Sequence, residues 1–570
     1  SPTAPAFAVN VSKITTGAIG WLHYIEANVR RPLSMTNDQM EFRDAQSLGK
    51  SKISTFNIST YSPLQVWDIS NPQNVASVNL KNTTPGHYLF TLPTDSLKQF
   101  MAFTGKTYLT PTYFGPVANQ NLHNLSQADL IIVTNPQFYA EAMQLASFHQ
   151  SHDGLTYQVV TTKQVYNEFS SGRQDPVAIR DFCRMFYARE TSYANSIKYL
   201  LLFGDGSYDP KNRLSDNTNF IVTYESDNSF DPTESYVSDD FFAVLDSGFG
   251  NLDLANYNLD IGVGRFTVDN ASEAQTVVNK VISYETNSGE PAVTSTNCCN
   301  PLTQYNMGNW RNQICFIAHD GDGDTHLDEA EQLADTVVRR YPTLNVNKIY
   351  LDAYQMIQTP GGPRYPDVNT AIDNQMDQGL LIINYTGHGG QTGLAVSRVL
   401  TFDDIYSWTN VNKLSLFFTA SCEFARYDDP AQVSAGELCL DIANGGNIAL
   451  MTTVRDVYSG GNFSLNLNFI DSMYALLPDG SLPRLGDLFT KAKNLTGPEI
   501  NSRMFTLLGD PAVRLNYPKN KVITSAINSV PVVTGKYDTL KALAKVTVSG
   551  YVADPTGATM SGFNGVLYPT

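Results

Sequence analysis

From about residue 126 the chain alternates apolar runs of strand length with amphipathic stretches of helix length. The runs DLIIVTN (129–135), TYQVVTT (156–162) and SIKYLLLFGDG (196–206) are apolar enough for strands buried on both faces. PQFYAEAMQLASFHQ and DPVAIRDFCRMFYARE, which lie between them, carry helical periodicity. A second series starts near 301, with ICFIAHD (314–320), KIYLD (348–352), GLLIINYT (379–386), LSLFFTAS (414–421) and NIALMTT (447–453) as strands. HLDEAEQLADTVVRRY and SAGELCLDIAN are helices of this series. Strands alternating with helices predict mainly parallel sheet covered on both faces. Residues 1–125 instead show short alternating runs (KISTFNIST, HYLFTLP) broken by Asn, Pro, Gly and Ser, predicting an N-terminal β domain. Alternation returns in KALAKVTVSGYVAD, so four parts are expected: β over 1–125, α/β over 126–300, α/β over 301–516, and a partial β domain over 517–570.

Composition narrows this picture. The 570 residues exceed one core, and 42% hydrophobic with 11% aromatic content excludes a disordered chain. A net charge of −17 without a basic stripe argues against a nucleic-acid partner and suits calcium-rich surroundings. No apolar run is long enough for a membrane-spanning helix. The chain begins at Ser1 and stops within strand-like alternation, which reads as a fragment without its targeting segments. The six cysteines (Cys183, Cys298, Cys299, Cys315, Cys422 and Cys439) form neither a disulfide framework nor a CxxC metal motif. Cys183 and Cys439 in amphipathic helices, and Cys315 in an apolar strand, are expected to be core residues.

Two strand ends carry the chemistry. GLLIINYT runs into Gly387, His388, Gly389 and Gly390, and LSLFFTAS runs into Cys422. Ligands of open parallel sheets bind beyond the carboxyl ends of strands. A right-handed crossover through the short helix FDDIYSW sets the two strands side by side, ~4.8 Å apart. That places an imidazole and a thiol on one sheet edge, with the thiolate as nucleophile. The amides of Gly389 and Cys422 suit an oxyanion hole, and the glycines admit a substrate backbone. A core cysteine and an ordinary loop histidine are the plain alternative.

NYTGHGG, FFTASCEFARYDDP and the closing LLGDPAVRL (507–515), with YLLLFGDGSYDP, DDFFAVLD and DIGVGRFTV upstream, resemble the gingipain family of cysteine peptidases over 126–516. The motifs are most similar to the family's sortase branch, which serves the type IX secretion system of Bacteroidetes. The resemblance implies a His388–Cys422 dyad, a caspase-like catalytic subdomain over 301–516, and an immunoglobulin-like domain truncated after 517. It also implies a cell-surface position on the outer leaflet of the outer membrane. The implied reaction removes C-terminal signals from secreted cargo and passes the acyl group to anionic lipopolysaccharide. An outer-membrane β-barrel shuttle is the further implied partner. Rival readings are a secreted endopeptidase that only hydrolyses, and a silent, calcium-bearing scaffold.

Weaker signals surround the dyad. Asp320, Asp322, Asp324, Asp328 and Glu331 fall at the first, third, fifth, ninth and twelfth places of a calcium loop, although Thr325 stands where that loop has glycine. Asp322, Asp324 or Glu329 is alternatively a third catalytic residue orienting His388. Asp205, Asp209, Asp239 and Asp240 form a second acidic group, for which the resemblance suggests structural Ca²⁺; ordinary turn chemistry is the alternative. No cofactor is expected for the chemistry itself. By analogy with caspase-like sheets, Thr453, Arg455 and Tyr458, after the strand NIALMTT, are candidate substrate contacts.

Overall fold

The computed structural model describes residues 8–10, 12, 24–113, 115–229, 231–248, 250–252, 257–286, 308–518, 520–533, 539–554 and 556–563. Cys298 and Cys299 lie outside them. The chain divides into two units, Ser1–Ala118 and Asn119–Thr570. In the first, Gln39–Arg43, Gln99–Phe103, Gln65–Asp68 and Ala76–Ser77 form one antiparallel sheet, and Ile53–Ser59, His87–Pro93 and Lys81–Thr84 another. Alternation buries Phe56, Ile58, Val66, Phe90 and Phe100 in a core of their own. Phe56, Phe90 and Phe100 pack there with ring centroids 5.1 Å apart.

The second unit is built on one ten-stranded sheet. In chain order its strands are β1 (Leu130–Thr134), β2 (Tyr157–Thr161), β3 (Tyr199–Phe203), β4 (Gly262–Phe266), β5 (Gln313–Ala318), β6 (Asn345–Tyr350), β7 (Ile382–Thr386), β8 (Ser415–Ala420), β9 (Asn447–Thr453) and β10 (Phe505–Leu508). In space they run β6-β5-β7-β8-β9-β10-β4-β3-β1-β2. Every strand predicted from the two apolar series is present. The two series join in one sheet because β10, from the end of the second, lies between β9 and β4. It pairs antiparallel with β9 and parallel with β4, while the other neighbours are parallel. β1, β3, β7, β8 and β9 are buried at every position, as their uninterrupted apolar sequences require. Beyond the sheet, Lys521–Ile527, Val530–Pro531 and Val548–Ala553 form a small antiparallel sheet.

Helices cover the sheet, and their ends follow local sequence rules. Thr161 and Ser434 close capping boxes with Gln164 and Glu437, satisfying orphan amides at the starts of Thr162–Phe169 and Ala435–Asp441. Pro176 and Pro366 open their helices, where a missing N–H costs nothing. Cys183, Cys315 and Cys439 are buried in the core, and burial pushes each thiol up, that of Cys315 to about 12.

Buried charges tie the β4 half together. Asp239 takes both arms of the Arg265 guanidinium at 2.9 and 2.7 Å, and Asp240 holds Lys493 at 2.7 and 2.8 Å. Asp209 accepts backbone N–H groups of Lys211, Arg213 and Leu214, while Asp205 is buried and pushed well up by desolvation and Glu437. The four carboxylates expected as a calcium group therefore do not converge: two neutralise buried cations, and one closes a turn.

His149 is enclosed by Asp153 at 2.7 Å and Asp510 at 2.7 Å. Burial alone would push its imidazole down, but Asp510, Asp153 and Glu285 outweigh burial and raise it to about 10. A group raised on folding stabilises fully below its unfolded value, ~6.5, and loses that contribution as pH climbs to the folded one. The thermal midpoint should therefore fall between about pH 7 and about pH 10. Melting curves across that window test it; a flat midpoint removes the buried imidazolium.

Candidate active site at the β7 and β8 strand ends

β7 and β8 pair in parallel, with Ile382 opposite Leu416 and Thr386 opposite Ala420. His388 and Cys422 each stand two residues beyond the last of these pairs, so both leave the same edge of the sheet at the same level. The amide of Gly387 donates to the Ala420 carbonyl at 3.2 Å and carries the pairing one step further. Gly387 has φ +153°, and a Cβ there would collide with Cβ of His319 and approach the Tyr385 hydroxyl at 2.8 Å. The His388 carbonyl accepts from Tyr385 Oη at 2.7 Å and from the Ala395 amide at 2.9 Å. The peptide is therefore fixed while the ring, half exposed, stays free to reach solvent. Gly389 faces Ser421: a Cβ on it would sit 2.9 Å from Cβ and Oγ of that serine.

Cys422 is partly buried at the start of a tight turn, and its thiol donates to the Val457 carbonyl at 3.8 Å. Glu423, next in the chain, adopts φ +49°, and its amide donates to the Arg455 carbonyl at 3.1 Å. Thr453 Oγ1 donates to the Ser421 carbonyl, and the Ala425 amide returns to the Thr453 carbonyl at 2.9 Å. Arg455 grips the fully buried Asp428 with both arms, at 2.7 and 2.5 Å. Thr453 and Arg455, expected as substrate contacts, are thus buried supports of the 421–428 turn. Only Tyr458 of that trio is exposed, at 65%.

The acidic segment after β5 meets His388 through one residue. Asp322 Oδ2 lies 3.0 Å from His388 Nε2, and the hydrogen bond and charge of His388 hold its carboxyl below the usual range. Asp322, Gly323 and Asp324 have φ +61°, +60° and +68°, a left-handed run that L side chains rarely adopt. Asp324 occupies the N-cap position of Thr325–Arg340. Asp320 accepts from the Tyr365 hydroxyl. Both Glu331 oxygens are taken by Lys348 Nζ and one also by the Tyr350 hydroxyl, and Asp328 is exposed on the helix. The calcium loop expected here does not close, because the helix begins at Thr325 and carries Glu331 to the lysine. Glu329 accepts from Ser459 Oγ at 2.6 Å and keeps its other oxygen 3.8 Å from His326 Nδ1.

Two features have little signature in the sequence. His319 and His326 stand beside His388, with ring centroids 5.4 and 5.3 Å from it. A cleft of about 500 Å³ opens on the His388 side, lined by Gly393, Ala395, Val396, Arg398, Thr401 and Asp403 among others. The glycine pair after His388 is its one visible signal. Among the described residues, two clusters bring three metal-type donors together: His319, His326 and His388; and His149, Asp153 and Glu285. In the second cluster Arg484 already pairs with Asp153 and Asp510 with His149. Of the expected calcium acids, Asp322 and Asp320 border the first cluster, 3.0 Å from His388 Nε2 and 3.4 Å from His319 Nε2.

The model of Peptidase family C25 matches residues 123–516. Among solved structures, dimeric latent PorU from Porphyromonas gingivalis is 25% identical with a TM-score of 0.54, over 94% of this chain and 44% of that one. The present chain therefore spans less than half of that protein. The Arg-specific cysteine proteinase gingipain R is 17% identical with a TM-score of 0.50, over 71% of this chain and 83% of that one. The complex of Porphyromonas gingivalis RgpB pro- and mature domains is 18% identical with a TM-score of 0.50, over 69% and 82%. At the latter identities the likeness is one of fold; with the mainly parallel sheet it supports a caspase-like α/β core. A comparison with curated protein sequences gives no match.

Burial pushes the Cys422 thiol up, partly offset by a backbone hydrogen bond of Val457 and reinforced by Asp456 and Glu423. The resting thiol therefore keeps its proton near neutrality. Alkylation by iodoacetamide should show a midpoint above that of a free cysteine, ~8.5, and Asp456→Asn should lower it and speed labelling at pH 7.5. A wild-type midpoint below the free value rules out this resting state.

Proposed function

The chain belongs to peptidase family C25, and from that premise we propose that Cys422 is its nucleophile and His388 its proton-transfer group. The carrying observation is the β7–β8 register, which delivers both residues to one sheet edge at one level. Because the thiol is held protonated, His388 takes the proton as sulfur attacks the peptide carbonyl. The S–C bond forms, the amides of Gly389 and Cys422 stabilise the oxyanion, and collapse breaks the C–N bond. His388 returns the proton to the departing amine. Asp322 at His388 Nε2 leaves Nδ1 for this transfer and favours the transient imidazolium. The leaving-group side of the substrate then runs past His388 into the adjoining cleft, where Arg398 offers a cation to acidic residues.

The acyl-enzyme has two fates, water or a second amine. The likeness to PorU favours the second: a sortase that removes C-terminal secretion signals from cargo and joins it to anionic lipopolysaccharide at the cell surface. Secreted cargo and an outer-membrane β-barrel shuttle are its partners in this reading. The small sheet over 521–553 is read as part of an immunoglobulin-like domain. Among the described residues no helix is long and apolar enough to cross a membrane; attachment to the surface through partners or lipid belongs to the same proposal.

Cys422→Ala and His388→Ala should each abolish peptide cleavage and labelling by a peptide electrophile; cleavage by Cys422→Ala eliminates the assignment. Mass analysis with added amines should show amide products growing with amine concentration, and hydrolysis alone at every concentration refutes transfer. Asp322→Ala should lower kcat by up to about 10²-fold with little change in KM, since an orienting group supports a general base worth ~10²–10⁴. An unchanged kcat removes Asp322 from this role.

A further inference from the structure

His326 is 5% exposed, and neither of its ring nitrogens makes a well-aligned hydrogen bond, the nearest acceptors being Asp322 Oδ2 at 3.3 Å from Nε2 and Glu329 Oε2 at 3.8 Å from Nδ1. A buried polar group without well-formed hydrogen bonds is costly, so such a ring marks a place where something else is bound. The ring looks onto two others. One nitrogen from each of His319, His326 and His388 lies within 4.8 Å of the rest. The His388 and His326 rings stand almost perpendicular, at 87°, and those of His388 and His319 at 80°. Nothing in the proposed peptidase chemistry needs His319 or His326.

Asp322 supplies a fourth donor. Its Oδ2 lies 3.0 Å from His388 Nε2 and 3.3 Å from His326 Nε2. Tetrahedral zinc with bonds of ~2.0–2.1 Å sets neighbouring donors ~3.4 Å apart. The two oxygen–nitrogen spacings already approach that edge, and the half-exposed His388 ring has room to close the remainder. Behind His326, Glu329 Oε2 is buried, without a hydrogen-bond partner, and 3.8 Å from Nδ1. A carboxylate behind a ligating imidazole is the usual outer support of such sites.

We propose that His319, His326, His388 and Asp322 form a binding site for a divalent transition metal of the zinc class, and that the bound ion withdraws His388 from proton transfer. The site itself stands on the donor geometry; its inhibitory effect rests on the role proposed for His388 in peptide cleavage. Three imidazoles and one carboxylate suit zinc or cobalt, whereas calcium and magnesium prefer all-oxygen sets. Occupancy takes the lone pair of one His388 nitrogen and displaces any proton there. Zinc would then be a reversible brake, released by chelation and not by proteolysis.

The test uses the whole chain freed of metal and titrated with Co²⁺, whose ligand-field absorption reports coordination without requiring activity. One equivalent should give a four-coordinate band that Zn²⁺ abolishes. His388→Ala, at an exposed position that folding tolerates, and His326→Asn should each weaken binding about tenfold or more, as loss of even supporting groups does. Cys422→Ala should bind as wild type, which separates this site from thiol chemistry. Absence of the band, affinity unchanged in both histidine variants, or loss of binding in Cys422→Ala overturns the site. If Co²⁺ binds as described but Zn²⁺ leaves thiol labelling and peptide cleavage unchanged, the brake is overturned. Neither readout depends on whether the acyl-enzyme hydrolyses or transfers.

Discussion

The parallel pairing of Ile382–Thr386 with Ser415–Ala420 is the constraint on which the site depends. Side chains alternate strictly along a strand, so a one-residue slip would send every side chain of either strand to the opposite face and to the wrong packing partners. Both strands are buried throughout, which makes such a slip prohibitive. The loops that follow are therefore launched from fixed points: the His388 loop from Thr386 and the Cys422 turn from Ala420. Short ties then aim each group. Tyr385 and Ala395 hold the His388 carbonyl, and Thr453 and Arg455 hold the turn that carries the sulfur.

Charge within the body of the protein serves another purpose. Arg265, Lys493, Arg455 and His149 are buried cations, each against a carboxylate. Such pairs gain little net stability over apolar packing, yet losing one partner leaves an uncompensated buried charge. Their positions follow the sheet seam. Arg265 lies in β4 beside β10, and Lys493 also donates to the Phe505 carbonyl at the start of β10. Strand β10 is short and reverses direction against β9, so polar ties there supplement few ladder bonds.

The edge of the sheet thus holds two chemistries close together. The thiol of Cys422 stands just beyond β8, and three imidazoles with the Asp322 carboxylate gather around His388 just beyond β7. His388 belongs to both sets. In the role proposed for it, His388 cannot both hold a cation on its ring and act as the base.

Much of this was legible from residues alone. Runs such as LIIVT and LSLFFTA announced buried parallel strands, because a short apolar run without alternation needs cover on both of its faces. Glycines beside His388 and an unbroken apolar run before Cys422 placed both groups at strand ends, and the recurring motifs pointed to the family. Partner choice was not legible. Thr453 and Arg455 looked like pocket residues because sequence shows neither burial nor the distant Ser421 and Asp428 that engage them. Glu331 kept calcium spacing, but a helix starting at Thr325 carried it to Lys348. The place of β10 between β9 and β4, and the gathering of His319 and His326 around His388, depend on contacts between segments far apart in the chain. Local periodicity determines which segments become strands and which residues end them; only tertiary packing decides which side chains then meet.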